Sequence, residues 1–112
     1  MDFNNWTIQL RKGLLELVIL NLLAGGRFHG YEMVKRLKTI KGFSIREGNI
    51  YPILARLKTD RLVTIEKEVS PDGPVRNSYA LTPAGAKMLE KMNRHWQETV
   101  ETLDSLTEGG TA

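Results

Sequence analysis

The chain has 112 residues, 41% hydrophobic and 26% charged, with no cysteine and a formal net charge of +3. That length supports one core and one compact unit, and the lack of thiols excludes disulfides and thiolate chemistry. The longest apolar block, residues 13–26, is too short for a bilayer and contains Glu16 and Asn21, so the expectation is a cytoplasmic protein without a membrane partner.

Charge is unevenly spread. Between Arg27 and Lys67 there are ten Lys/Arg against four Asp/Glu, whereas from Glu90 onward there are two against five. This asymmetry suggests a basic working surface and a tail with a different task.

Residues 1–7 are polar apart from Phe3 and Trp6 and are expected to form a loose arm. From Ile8 to Ala24 a helix is expected, with Leu10, Leu14, Leu15, Leu17, Val18, Ile19, Leu20, Leu22 and Leu23 placed nearly all round it. A helix apolar on most sides is buried on more than one face, and in so short a chain the second face is expected to meet another subunit. Gly25-Gly26 ends it. Gly30–Ile40 is a second expected helix, followed by the short connection Lys41-Gly42-Phe43.

The stretch from Ser44 to Asp60 organises the rest. Ser44 and Glu47 have capping-box spacing, which predicts a helix start. Ile50, Ile53, Leu54 and Leu57 then share one face. At about 100° per residue the opposite face holds Gly48, Pro52, Ala55 and Thr59, bordered by Asn49 and Arg56 on one side and Tyr51 and Lys58 on the other. A strip of small residues between an amide, a phenol and two cations suits a nucleic-acid groove. Pro52 inside the helix leaves the carbonyl of Gly48 without a donor, and a start at Gly48 or later would put the proline near the first turn.

Beyond Arg61 the pattern alternates. Val63, Ile65 and Val69 are expected on one face of a strand, with Thr64, Glu66 and Glu68 on the other. Residues 70–74, Ser-Pro-Asp-Gly-Pro, form a turn by composition, and a second strand runs from Val75 to Leu81. Such a hairpin after a reader helix makes a wing, with Arg76 near its tip. Thr82-Pro83 supplies an N-cap and a first-turn proline. Leu89, Met92, Trp96, Thr99, Leu103 and Leu106 then recur at spacings of three and four, a stripe that needs a second helix to pack against. Residues 108–112 are expected to fray. The resulting fold class is mainly α with a small β-hairpin: residues 1–82 form a winged helix-turn-helix with an N-terminal arm, and residues 83–112 a dimerisation helix and tail within the same unit.

This order of motifs resembles the PadR family of transcriptional regulators over nearly the whole chain. The residues that carry the resemblance are His29-Gly30-Tyr31-Glu32, then Glu47-Gly48-Asn49-Ile50-Tyr51-Pro52 with Leu54, Arg56 and Leu57, and finally Tyr79-Ala80-Leu81-Thr82 leading into Gly85. The single closing helix is similar to the shorter branch of that family. The resemblance implies a homodimer, usually a repressor, on a palindromic operator, with Tyr31, Asn49 and Tyr51 at the DNA and Arg76 on the wing. Two departures stand out: Asn49 where threonine is common, and one wing arginine where many relatives carry a basic cluster.

Candidate DNA contacts are therefore Tyr31, Lys35, Arg46, Asn49, Tyr51, Arg56, Lys58 and Arg76, with Arg36 and Lys38 as further phosphate ligands. Asn49 and Arg56 are the candidates for base edges, because amides and guanidinium groups make bidentate pairs with adenine and guanine. Tyr31 has a competing reading as a buried ring with a satisfied hydroxyl. Candidate dimer residues are Trp6, Leu14, Val18, Leu89, Met92, Trp96 and Leu103. Some PadR-like regulators hold planar aromatic or drug-like molecules at the dimer joint, and Trp96 suits that stacking; its simpler role is a packing anchor. His29 and His95 have no carboxylate at ligand spacing, so no metal is expected. No cofactor fingerprint or catalytic set appears, and an enzyme is not expected. The alternative from another class is a winged-helix adapter that binds proteins without touching DNA.

Overall fold

A computed structural model describes residues 1–69 and 71–108. Four helices and three short strands follow the order α1 (Phe3–Leu23), β1 (Phe28–His29), α2 (Gly30–Lys38), α3 (Glu47–Thr59), β2 (Val63–Glu68), β3 (Arg76–Leu81) and α4 (Pro83–Thr107). The mainly helical class with a small antiparallel sheet is as expected, and no helix among the described residues is long and apolar enough to cross a membrane.

The arm is a correction. Residues 3–7 continue α1, because the Asp2 carboxylate caps the helix by accepting from the Asn4 backbone N–H at 3.0 Å. Leu15, Ile19, Leu20 and Leu23 of α1 enter the core, while Phe3, Trp6, Ile8 and Leu10 remain exposed. The helix stops as predicted: Gly25 and Gly26 donate back to Leu22 and Leu23, and Gly26 takes φ +138°, a value that favours glycine.

A strand that the periodicity did not announce, β1, pairs antiparallel with β3, giving sheet order β1-β3-β2. The wing strands pair from Val63↔Leu81 to Glu68↔Arg76. Val69 lies beyond β2 and is exposed, so it is not on the strand's buried face. The predicted turn includes Ser70, which lies outside the described residues.

The capping box is also corrected. Ser44 sits in the left-handed region at φ +48°, and the N-cap is Arg46, whose side chain makes no capping bond. Glu47 instead accepts from Lys38 Nζ at 3.1 Å, which ties the start of α3 to the end of α2. Pro52 is interior, and both it and Gly48 face solvent, where water can meet the freed carbonyl.

The core joins Ile19, Leu20, Met33, Leu37, Ile50, Leu54, Leu57 and Val63. Thr82 caps α4 by accepting from Gly85 N at 3.0 Å, and its own hydroxyl donates to Arg61 O at 2.7 Å. Asn21 and Asn93 exchange two amide hydrogen bonds of 3.0 Å and so set α4 against α1. Leu89 is buried in this protomer's own core at 6% exposure, which removes it from the expected dimer surface. Met92 packs partly against the same core. Farther along, Trp96, Leu103 and Leu106 are exposed. Of the expected fraying segment, residues 109–112 lie outside the described residues.

Candidate nucleic-acid interface

Helix α3 buries Ile50, Leu54 and Leu57 and turns Gly48, Asn49, Tyr51, Pro52, Ala55, Lys58 and Thr59 outward. The exposed strip is flanked on both sides. On the Asn49 side, α1 and the 43–46 turn form a cleft of about 640 Å³. On the Tyr51 side, the strip meets the wing through Ile65 and Tyr79.

Tyr31, at the start of α2, is 82% exposed, which excludes the buried-ring reading. It borders a second cleft with Tyr51 and Arg76, so α2, α3 and the wing converge there. Tyr79 supports this corner from beneath. A Cβ on Gly30 would stand 3.2 Å from the Tyr79 ring and 3.8 Å from the Tyr51 hydroxyl, so glycine lets the three elements approach. Desolvation raises the Tyr79 phenol above the usual range; the nearby Tyr51 adds to this, and a hydrogen bond with Asn77 opposes it.

The cations fall into two groups. Arg36 pairs with Glu32 at 3.4 Å and stacks over Phe28 at 5.1 Å, while Lys38 is bound to Glu47. Arg56, expected beside Asn49 at base edges, instead donates to Glu16 of α1. Its guanidinium in this structure ties the reader helix to α1 and is not presented to solvent as a bare fork. Lys35, Arg46, Lys58 and Arg76 are exposed and make no ion pair among the described residues.

Two further contacts brace the wing, and neither followed from sequence. Arg27 donates to the fully buried Ser78 hydroxyl at 2.9 Å and lies 3.4 Å from Glu66. His29 Nε2 lies 2.7 Å from Glu68 Oε2, and this hydrogen bond lowers the Glu68 carboxyl below its ordinary range. Both link β1 to the strands around it over gaps of about forty residues or more, where no local pattern exists to flag them.

The Arg56–Glu16 pair supports a prediction. If Arg56 acts by holding α3 against α1, then Arg56→Ala and Glu16→Ala should weaken binding to the cognate DNA site alike. The double variant should be no worse than either single one. The stability cost should stay within about 1 kcal/mol, because the pair is exposed. Tighter binding in Glu16→Ala would mean that Arg56 contacts DNA directly once released. Fluorescence-anisotropy titrations of the four proteins distinguish the outcomes.

Residues 19–91 match the Transcriptional regulator PadR-like family. The chain is 37% identical over 91 residues to Transcriptional regulator YqjI of Escherichia coli, a match covering 80% of this chain but 42% of that protein. It therefore spans about two-fifths of the length of this relative. A PadR-like transcriptional regulator of Bacillus cereus superposes with a TM-score of 0.79 at 32% identity, covering 90% of this chain and 98% of the other. Bacillus subtilis PadR, solved in complex with operator DNA, superposes with a TM-score of 0.63 at 27% identity over 70% of this chain and 46% of its own. With the motifs at Gly30-Tyr31-Glu32 and Glu47–Leu57 inside the matched span, the chain belongs to the PadR-like family of transcriptional regulators, which places it among regulators rather than enzymes.

Proposed function

We propose that this regulator binds a two-fold symmetric DNA site as a homodimer and represses transcription from it. The observation that carries the reading is the outward strip of α3, bordered by Tyr31 and by four cations without ion-pair partners among the described residues. Asn49 reads a base edge, Tyr31 and Tyr51 donate to phosphate oxygens, and Lys35, Arg46, Lys58 and Arg76 neutralise phosphates. Residues 1–82 carry the DNA surface and α4 joins the subunits. A dimer seated on two successive grooves represses by occupying the site.

The shape of the protomer supports the dimer. Its radius of gyration is 16.7 Å, with a long axis of 62 Å, against about 13 Å for a compact chain of this length. The excess matches a closing helix that extends past its own core with Trp96, Leu103 and Leu106 uncovered. Trp6, Leu14 and Val18 of α1, the first exposed and the others half-buried, complete the apolar surface of the joint.

Salt dependence tests the DNA reading against the adapter reading. Four free cations per subunit give eight contacts in the dimer, so log affinity should fall with log salt at a slope of roughly −7. A slope near zero would favour protein recognition.

At the joint, Trp96 is 37% exposed and anchors the dimer. Its ring also provides the face on which a planar aromatic effector stacks and relieves repression. Such a molecule acts only to the extent that it favours one arrangement of the subunits. Tryptophan fluorescence titrated with a panel of planar aromatics should quench saturably with at least one member; a flat response across the panel would leave Trp96 as an anchor alone.

A further inference from the structure

The α1–α3 cleft and the end of α4 are complementary in length, polarity and charge. The cleft has an apolar floor that includes Ile8, Phe43 and Ile53, and a rim carrying Arg11, Lys12 and Arg46. None of these three cations makes an ion pair among the described residues. The α4 stretch from His95 to Thr107 carries Glu98, Glu101 and Asp104 with no lysine or arginine, and Glu108 follows as its C-cap. No ion pair is formed by these carboxylates either. At about 100° per residue, Trp96, Val100 and Leu103 share one face, with Asp104, Glu108 and Glu101 along one shoulder. The stretch is about 20 Å long, and the α1 wall from Asn4 to Leu15 is about 17 Å.

We propose that the acidic end of α4 from a second copy of this chain lies in the α1–α3 cleft. Leu103 and its neighbours cover the apolar floor, and Glu101 and Asp104 face Arg11 and Lys12. This rests on the dimer reading above and adds to it a defined contact with a consequence for the reader helix. The cleft is also lined by Gly48, Asn49 and Pro52, so the partner's tail sits directly beside the residues that face DNA. A change in the angle between subunits then moves carboxylates toward or away from Arg46, and so changes how available that cation is to a phosphate. Coupling between dimer joint and DNA surface is thereby electrostatic and local, with no rearrangement of the core required.

Charge reversal in mixed dimers provides the test. One variant carries Arg11→Glu with Lys12→Glu in the cleft; the other carries Glu101→Lys with Asp104→Lys in the tail. These side chains lie outside the core, and far-UV circular dichroism checks that each variant keeps its helices. Each variant alone should dimerise at least about tenfold more weakly than wild type by sedimentation equilibrium, since like charges then oppose in both contacts. An equimolar mixture should form heterodimers in preference to either homodimer, because both tail–cleft contacts become attractive, and native mass spectrometry reads the ratio. Joining all four substitutions in one chain should restore the homodimer. Restoration in the single chain without preference in the mixture would place the tail in its own chain's cleft and overturn the inference. Dimers of unchanged affinity in every variant would overturn it while leaving the dimer reading intact, and if the cleft variant then lost only DNA affinity, the cleft would belong to DNA. A wild-type chain that sediments as a monomer would remove both.

Discussion

Replacing Gly85 by alanine should destabilise the protein more than any other single methyl addition considered above. A Cβ there would lie 2.0 Å from the carbonyl oxygen of Leu62 and 2.9 Å from its carbonyl carbon. Both are backbone atoms, so no side-chain rotation relieves the clash. The same oxygen accepts from Thr82 N at 3.1 Å, and the neighbouring Arg61 carbonyl accepts from the Thr82 hydroxyl. Pushing α4 away thus also strains the cap that starts it. The expected loss is about 3 kcal/mol, or a fall in Tm of roughly 12–24 °C for a domain of this size. Gly48→Ala is the control, since a Cβ there meets nothing within 4 Å. That variant should melt at or slightly above the wild-type temperature, because alanine favours a helix over glycine. Equal melting of Gly85→Ala and wild type would mean that the start of α4 does not pack on Leu62 as described.

The largest effect on recognition is expected from Asn49→Ala. Asn49 is exposed on the third residue of α3, and its side chain makes no hydrogen bond to any described residue. Removing it should therefore leave folding untouched. An asparagine that pairs with adenine discriminates against other bases by about 1–3 kcal/mol. A symmetric dimer uses it twice, so affinity for the cognate site should drop by roughly thirty-fold to ten-thousand-fold. Affinity for unrelated DNA should hardly change, because phosphate contacts supply it. Asn49→Thr, which introduces the residue common among relatives, should shift base preference at one position per half-site. A uniform loss on cognate and unrelated DNA would reassign Asn49 to the backbone.

The elements with strong periodicity were legible in the sequence. The apolar spacing of Ile50, Leu54 and Leu57 defined which side of α3 is buried, and alternation at Val63 and Ile65 followed by a turn marked the wing. Thr82-Pro83 announced α4 through cap chemistry that the structure contains. What failed was short or non-local. Two residues, Phe28 and His29, are too few to show a period, so β1 went unseen. The capping box at Ser44 and Glu47 satisfied a spacing rule, but Lys38 competes for the carboxylate and Ser44 is left-handed. The first turn of α1 looked polar and loose because its cap, Asp2, precedes two asparagines rather than an apolar run.

Side-chain partners followed the same division. Asn49 and Tyr51 could be assigned to a face from angles alone, whereas the partner of Arg56 lies 40 residues away on another helix. Nothing at Glu16 distinguishes it from any helical carboxylate until the two helices cross. Leu89 belongs to a regular stripe of α4, yet the stripe changes role along its length: its first turns fill the protomer's core and its later ones are left uncovered. Periodicity identifies an apolar face without saying which neighbour covers each turn of it.

The central claim is that paired copies of α3 enter successive major grooves of one duplex. Hydroxyl-radical footprinting on a site selected from the organism's own genomic fragments tests it most directly. Two protected patches should appear on one side of the helix, centred about 34 Å apart, and both should fade together in Asn49→Ala. A single unpaired patch, or none at low salt with folded protein in excess, would contradict the account.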